Sequence, residues 1–408
     1  RSILINRNKI ENIKVLTPFL ESLAINNFLT EYLFNYDKYE EKELSKIKTF
    51  LTDQLADDDS YIFHLLIFLC YQNLEQAELT KILNNLQKLK QIKSIFLDAP
   101  QEERRIRKHI KTFGHIENAS IIAKHQYEEN PYPRWHNHVR KISSKSFNDT
   151  LLAQELNPAK FVNFNNSKKS ILIAGCGTGL NIFRVANGFP DSKITAIDLS
   201  LTSLAYAKRK IQETNIKNIS LYHGDILQLK EIRKTFDYVE CMGVLHHIKN
   251  HLQAWHSLKR CLKKNGVMRV GLYSRHARKD IINFRETLKW DLSETSQDKV
   301  LYERQKIIDS GKNYRFTKSS DFFSKSGVRD LILNSYEKQF DLLEIEEILR
   351  TLNLDFLGIQ VRNKKTRSNF KKLFPKNDDW FALKNWDKLE KEFPDTFFGM
   401  YQFWCQKN

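Results

Sequence analysis

The spacing of apolar positions changes character partway along the chain. Up to about residue 125 they recur every three or four residues, as in "LTPFLESLAINNFLTEYLF", "SYIFHLLIFLCY" and "AELTKILNNLQKLKQI". That is the period of helices. No unit of about 30–40 residues repeats, so residues 1–125 are expected to form a helical hairpin or small bundle rather than a solenoid. From about Lys169 the pattern shortens into apolar runs: "SILIAG" (170–175), "KITAIDLS" (193–200), "ISLYHGDI" (219–226), "FDYVECMG" (236–243) and "GVMRVGLYS" (266–274). Helix-like stretches such as "LNIFRVANGF" and "LTSLAYAKRKIQET" separate them. This alternation predicts βαβ units and a doubly wound, parallel α/β sheet. "LDFLGIQV" (354–361) and "GMYQFWCQ" (399–406) are two further strands. The charged, helical residues at about 281–350 read as an insertion, too long for an ordinary connection.

Between the helical region and the first apolar run lies "YEENPYPRW" (127–135). Its two prolines bar it from a regular helix or a central strand. It reads either as a stiff linker or as a lid across a binding site, within a connecting segment spanning residues 126–165.

The chemistry is concentrated in "ILIAGCGTGLNIF". Gly175, Gly177 and Gly179 fall where a buried strand turns sharply into a helix, so the backbone can adopt positive φ and approach a ligand closely. The helix amino end adds free N–H groups. Asp198 closes the second strand 19 residues after Gly179, a distance that suits hydrogen bonding to ribose hydroxyls. The spacing G-x-G-x-G departs from the G-x-G-x-x-G of dinucleotide oxidoreductases. No Asn/Asp-Pro-Pro-aromatic tetrad follows the fourth strand, which counts against methylation of exocyclic amines in DNA or of glutamine.

Taken together, residues 169–274 resemble a class I S-adenosylmethionine-dependent methyltransferase, through "ILIAGCGTG", "AIDLS", "HGDI", "FDYVECMGVLHHI" and "LKKNGVMRVGLYS". The resemblance implies a seven-stranded Rossmann-like sheet in residues 166–408, with the C-terminal run as the antiparallel strand beside the sixth. It implies S-adenosylmethionine as cofactor. Ala174, Gly175, Cys176, Gly177 and Gly179 would pass under its methionine and ribose. Asp198 would bind the ribose and Leu199 would flank the adenine. Asp225 would accept from the adenine amino group, Ile226 would pack on the ring, and Met242, Gly243 and Val244 would form the floor below the sulfonium. The family often has an acidic residue where this chain has Ile173, and Pro-Gly-Gly where it has "KNGV". A wider similarity, from about residue 14 to the end, is to bacterial methyltransferase-domain proteins often found beside tetratricopeptide repeats.

Under that reading the run at 127–135 becomes a lid, with Arg134 supplying a cation to the cofactor's carboxylate. Tyr127, Tyr132 and Trp135 would wall the transfer chamber, since aromatic faces favour a sulfonium. His246 and His247 follow the fourth strand and are the candidate base or orienting group; Glu128 and Glu129 are rival bases. Cys176 and Cys241 read as space-filling.

Composition narrows the setting. Five scattered cysteines without C-x-x-C spacing speak against a disulfide framework or a zinc site, no metal is expected, and a reducing cytoplasm is implied. The longest apolar run, Tyr61–Cys70, is too short to span a membrane, so no membrane partner is expected. No signal peptide opens the chain, although it begins at Arg1, which allows for an upstream segment. The net charge of +17 admits nucleic acid, yet the basic residues are spread along a Lys-, Asn- and Ile-rich chain, and "HARKD" and "RNKKTRSNFKK" read as solvated surface. The leading expectation is methyl transfer to a protein, peptide or small-molecule acceptor, with specificity from the helical region and the insertion. An RNA methyltransferase and a non-catalytic cofactor-binding module are the alternatives.

Overall fold

The computed structural model describes residues 1–86, 88–136, 145–165, 167–214 and 216–408. Residues 137–144 of the expected lid segment therefore lie outside the described residues. The chain divides into two compact units.

The helical unit comprises residues 1–108, 133–136 and 295–333. Its centre is the helix Asp59–Tyr71, in which every position from Tyr61 to Cys70 except His64 is buried. It packs against Ile13–Leu29 and Lys38–Asp53. Asp37 opens the latter with a capping box to Glu40, satisfying two orphan groups of the first turn. The Tyr61 hydroxyl donates to the Leu51 carbonyl at 2.7 Å.

The middle of the expected insertion belongs to this unit and not to the sheet. The Ser326 N–H donates to Glu31 at 2.6 Å and the Lys325 N–H to the Thr30 carbonyl at 3.2 Å. The Arg304 guanidinium lies 5.4 Å from the Phe34 ring and 5.0 Å from the Phe322 ring. A short helical segment such as Lys325–Ile332 cannot enclose a core alone, so it shares one with the amino-terminal helices. The boundary expected at residue 125 also moves, because residues 109–132 group with the sheet.

The sheet unit carries eight strands in the order β1-β4-β3-β2-β5-β6-β8-β7. They are β1 (Lys111–Thr112), β2 (Ser170–Ala174), β3 (Lys193–Asp198), β4 (Ile219–His223), β5 (Phe236–Met242), β6 (Leu262–Leu272), β7 (Leu354–Ile359) and β8 (Tyr401–Lys407). The seven expected strands are present, and β1 is an added edge pairing Thr112 with His223. β8 runs antiparallel between β6 and β7, as the C-terminal run implied. Ile171, Leu172, Ile173 and Ala174 are all buried, as a strand covered on both faces requires.

One face of the sheet buries Leu172, Val239, Cys241, Val270 and Trp255. The other holds polar groups that strand periodicity alone did not flag. There Glu240 takes the side chains of Tyr238, Arg184 and Asn181, and Arg269 bridges Gln360 and Gln402 at 2.6 and 2.7 Å. Paired this way, the buried charges avoid most of the desolvation cost.

Glu390 is a further buried carboxyl, receiving hydrogen bonds from the Ser274 and Tyr401 hydroxyls. Burial pushes it up to about 7, with those two donors opposing. Its folded value lies above its unfolded one, so the folded state is favoured below the unfolded value and loses stability as pH rises toward 7. Glu390→Gln should therefore gain about 1–3 kcal/mol over the parent at pH 8 and almost nothing at pH 4 in urea unfolding. A loss at both pH values would contradict this.

Candidate active site

The carboxyl ends of β2, β3 and β5 come together around the glycine turn, where a doubly wound sheet has its crevice. Gly175 has φ +73° and Gly177 φ +52°. A Cβ on Gly175 would fall 2.4 Å from the Val244 side chain, and one on Gly177 would fall 2.7 Å from the Tyr132 carbonyl oxygen. Gly179 instead lets its helix close on Ala207. The turn is stitched to β3: the N–H groups of Gly175 and Cys176 both donate to the Ile197 carbonyl, at 2.9 and 3.0 Å.

Asp198 locks the arrangement. One carboxylate oxygen accepts from the Gly177 N–H at 2.7 Å, the other from the Ser200 N–H at 2.9 Å. Each oxygen keeps a lone pair for a ligand hydroxyl. Burial pushes this carboxyl up to about 6, against the pull of those backbone donors, and the charge of Glu128 adds to the rise.

Gly175, Gly177, Asp198, Leu199, Met242, Gly243 and Val244 are partly exposed along the crevice. Ala174, Cys176, Gly179, Asp225 and Ile226 are buried behind them. The Asp225 carboxylate accepts from the Leu227 N–H at 2.9 Å and the Glu117 N–H at 3.2 Å. Burial pushes the Cys176 thiol well up, which leaves it inert.

The run at 127–135 divides between the units. Its first part lies on the sheet unit, where the Ser200 hydroxyl donates to the Tyr127 carbonyl at 2.8 Å. Glu128, considered as a base, instead accepts from the Leu201 and Thr202 N–H groups at 2.7 and 3.3 Å and caps their helix. Glu129 is exposed. Arg134 and Trp135 group with the helical unit, where Arg134 pairs with Glu31 at 3.3 Å. The cation expected for the cofactor's carboxylate is thus engaged by a carboxylate of its own unit.

The two histidines occupy the turn Leu245–His247. His246 is fully buried and stacks on Tyr273 with ring centroids 3.9 Å apart. Its Nδ1 accepts from the Tyr273 N–H at 3.3 Å, which leaves the proton on Nε2, an atom without a partner among the described residues. Burial first, then the neighbouring His247 and Arg278, hold His246 well below the ordinary histidine value. His247 is its complement. Its Nδ1 lies 2.9 Å from the Tyr336 carbonyl, so that nitrogen donates and the neutral ring's lone pair sits on Nε2. The Tyr127 and His247 rings meet edge-on at 6.3 Å.

The segment 334–340 laces these parts together, and the sequence did not reveal it. The Asn334 amide donates to the Tyr127 hydroxyl at 3.1 Å, and the Lys338 N–H donates to the His246 carbonyl at 2.8 Å. Glu337 is buried against Arg278 and Arg285; burial would raise its carboxyl, but the guanidiniums and His247 hold it down to about 2. Met400 was missed too. A Cβ on Gly271 would fall 2.7 Å from Met242 Cε and 2.8 Å from Met400 Sδ, so both thioethers close on the ends of β5 and β6. Nothing local marks these residues; only the topology brings them to the crevice.

Comparison with known proteins falls on the same stretch. Residues 165–321 match the family described as a methyltransferase domain. Malonyl-[acyl-carrier protein] O-methyltransferase of Priestia megaterium is 33% identical over 106 residues, covering 26% of this chain and 37% of that one. An uncharacterized protein of Rickettsia prowazekii is 28% identical over 142 residues, or 34% of this chain and 52% of its own. The chain thus spans about half or less of the length of these curated relatives. The structure of PKMT2 from Rickettsia typhi aligns with a TM-score of 0.47 at 20% identity, over 64% of this chain and 52% of that one. Among the described residues, no helix is long and apolar enough to cross a membrane. Residues 165–321 thus match a methyltransferase domain, and the strand order with β8 inserted antiparallel is the one expected of the class I S-adenosylmethionine-dependent methyltransferase fold.

Proposed function

We propose that the sheet unit transfers a methyl group from S-adenosylmethionine to a protic acceptor on a protein, peptide or small molecule. The observation that carries this reading is the Asp198 carboxylate, fixed by two backbone N–H groups beside a positive-φ glycine turn. That is a rigid pair of acceptors for vicinal ribose hydroxyls. The glycines supply the close backbone approach, and a side chain on Gly175 or Gly177 would fill the cradle. Leu199 and Ile226 would flank the adenine, Asp225 would accept from its amino group, and Met242, Gly243 and Val244 would form the floor. The bound cofactor supplies a methyl group on a sulfonium, open to in-line displacement.

The protein's own part is alignment, desolvation and, where the acceptor carries a proton, its removal. His247 is the residue for that removal, because the Tyr336 carbonyl fixes its Nδ1 as donor and turns the basic lone pair to Nε2. His246 reads instead as a packing partner, because it is fully buried and its Nδ1 accepts from the Tyr273 N–H. Tyr127 stands beside His247 as the aromatic wall. The helical unit supplies additional surface, which favours a macromolecular acceptor.

Two outcomes are expected. Asp198 must be ionised to accept from both hydroxyls, so calorimetric affinity for S-adenosylhomocysteine should fall about tenfold per pH unit below about 6 and level off above 7. Asp198→Asn should bind weakly and lose that dependence; pH-independent binding by the parent would count against the assignment. His247→Asn keeps a donor for the Tyr336 carbonyl and removes the lone pair. With labelled cofactor and a lysate as acceptor source, it should lose about 10²–10⁴-fold of the transfer while binding S-adenosylhomocysteine within twofold of the parent. Undiminished transfer would remove His247 from the chemistry.

A further inference from the structure

The positive charge of the chain, scattered in sequence, is gathered in space. Residues 137–294 hold 26 lysines and arginines against 13 aspartates and glutamates, within a chain of 66 and 49. Because β2 to β6 are all parallel, the residues that precede them share one edge of the sheet, opposite the crevice. Lys217 precedes β4, Lys193 begins β3, Lys168 precedes β2, Arg233 precedes β5, and Lys264 is the third residue of β6. All five are exposed. None has an ion-pair partner among the described residues, whereas the neighbouring Lys263 is paired with Asp237 at 2.8 Å. The exposed carboxylates nearby are Asp191, Glu231 and Glu213, the last paired with Arg209 and Lys210.

We propose that this amino edge of the sheet is a docking stripe for a nucleic-acid backbone. The five strand ends follow the spatial order β4-β3-β2-β5-β6. At about 4.8 Å per strand they make a row roughly 20 Å long with a cation at every step. A row of unpaired cations matches a linear chain of phosphates better than the plane of a bilayer. No aromatic ring among the exposed large hydrophobic residues falls in these loops. Contact is therefore with phosphates and independent of base sequence. The stripe faces away from Asp198 and His247, so it tethers the protein and does not present a base for methylation. It stands whether or not the crevice transfers methyl groups.

The test is binding of fluorescent poly(U) by anisotropy across a salt series, with the full chain. One variant carries Lys168→Gln, Lys193→Gln, Lys217→Gln and Lys264→Gln. A control variant loses the same charge from exposed positions of the helical unit, through Lys42→Gln, Lys81→Gln, Lys90→Gln and Lys312→Gln. The parent should bind with a steep salt dependence. The edge variant should lose at least tenfold in affinity at 0.1 M salt, and its log–log slope should flatten by about 2–3. The control should stay within threefold, and all three should keep the same melting temperature within about 3 °C. Equal losses in both variants would mean only net charge matters and would overturn the proposal. So would absence of poly(U) binding, including the case in which phosphatidylserine vesicles bind instead.

Discussion

The structure turns on one hydrogen-bonded clamp. The Asp198 carboxylate at the end of β3 accepts from the Gly177 N–H, and the Ile197 carbonyl accepts from Gly175 and Cys176. These bonds hold a turn that only glycine can make, with positive φ at three positions and almost no room for a Cβ. A buried carboxylate without them would be costly; with them it becomes a preorganised pair of acceptors. The same burial that raises its protonation point makes its charge valuable to a ligand that brings hydroxyl donors.

Around that clamp the fold places groups by connectivity and not by proximity in sequence. Tyr127 arrives before the first long strand, His247 after β5, Tyr273 after β6, Tyr336 after the helical excursion, and Met400 ahead of β8. The segment 334–340, which contains Tyr336, binds Tyr127, His247 and Tyr273 through backbone and amide hydrogen bonds. Its Tyr336 carbonyl fixes the tautomer of His247, while the Tyr273 N–H fixes the opposite tautomer of His246. Adjacent residues of the same type thereby acquire different chemistry: one is sealed and neutral, the other carries an oriented lone pair.

Much of this was legible in the sequence because its causes are local. Apolar runs ending in glycine or aspartate specify strand, turn and helix within a few residues, so the strands, the glycine turn and the place of Asp198 at a strand end could be read directly; the antiparallel C-terminal strand was implied by the family resemblance. What was not legible depends on long-range placement. Glu128 has the composition of a base, yet it caps the helix after β3. Arg134 has the charge expected of a carboxylate clamp, yet Glu31 pairs with it. The insertion was visible as a length anomaly, but which core would claim residues 295–333 was not. The basic residues looked dispersed because one or two precede each strand, and only a parallel sheet brings those positions to a common edge.

The central claim is that the clamp holds an adenosyl ligand by its ribose. Its most direct test is a crystal structure of the chain with S-adenosylhomocysteine. The account predicts density in the crevice at residues 175–179, with both ribose hydroxyls within hydrogen-bond distance of the Asp198 carboxylate. A ligand bound elsewhere, or one whose ribose points away from Asp198, would contradict it.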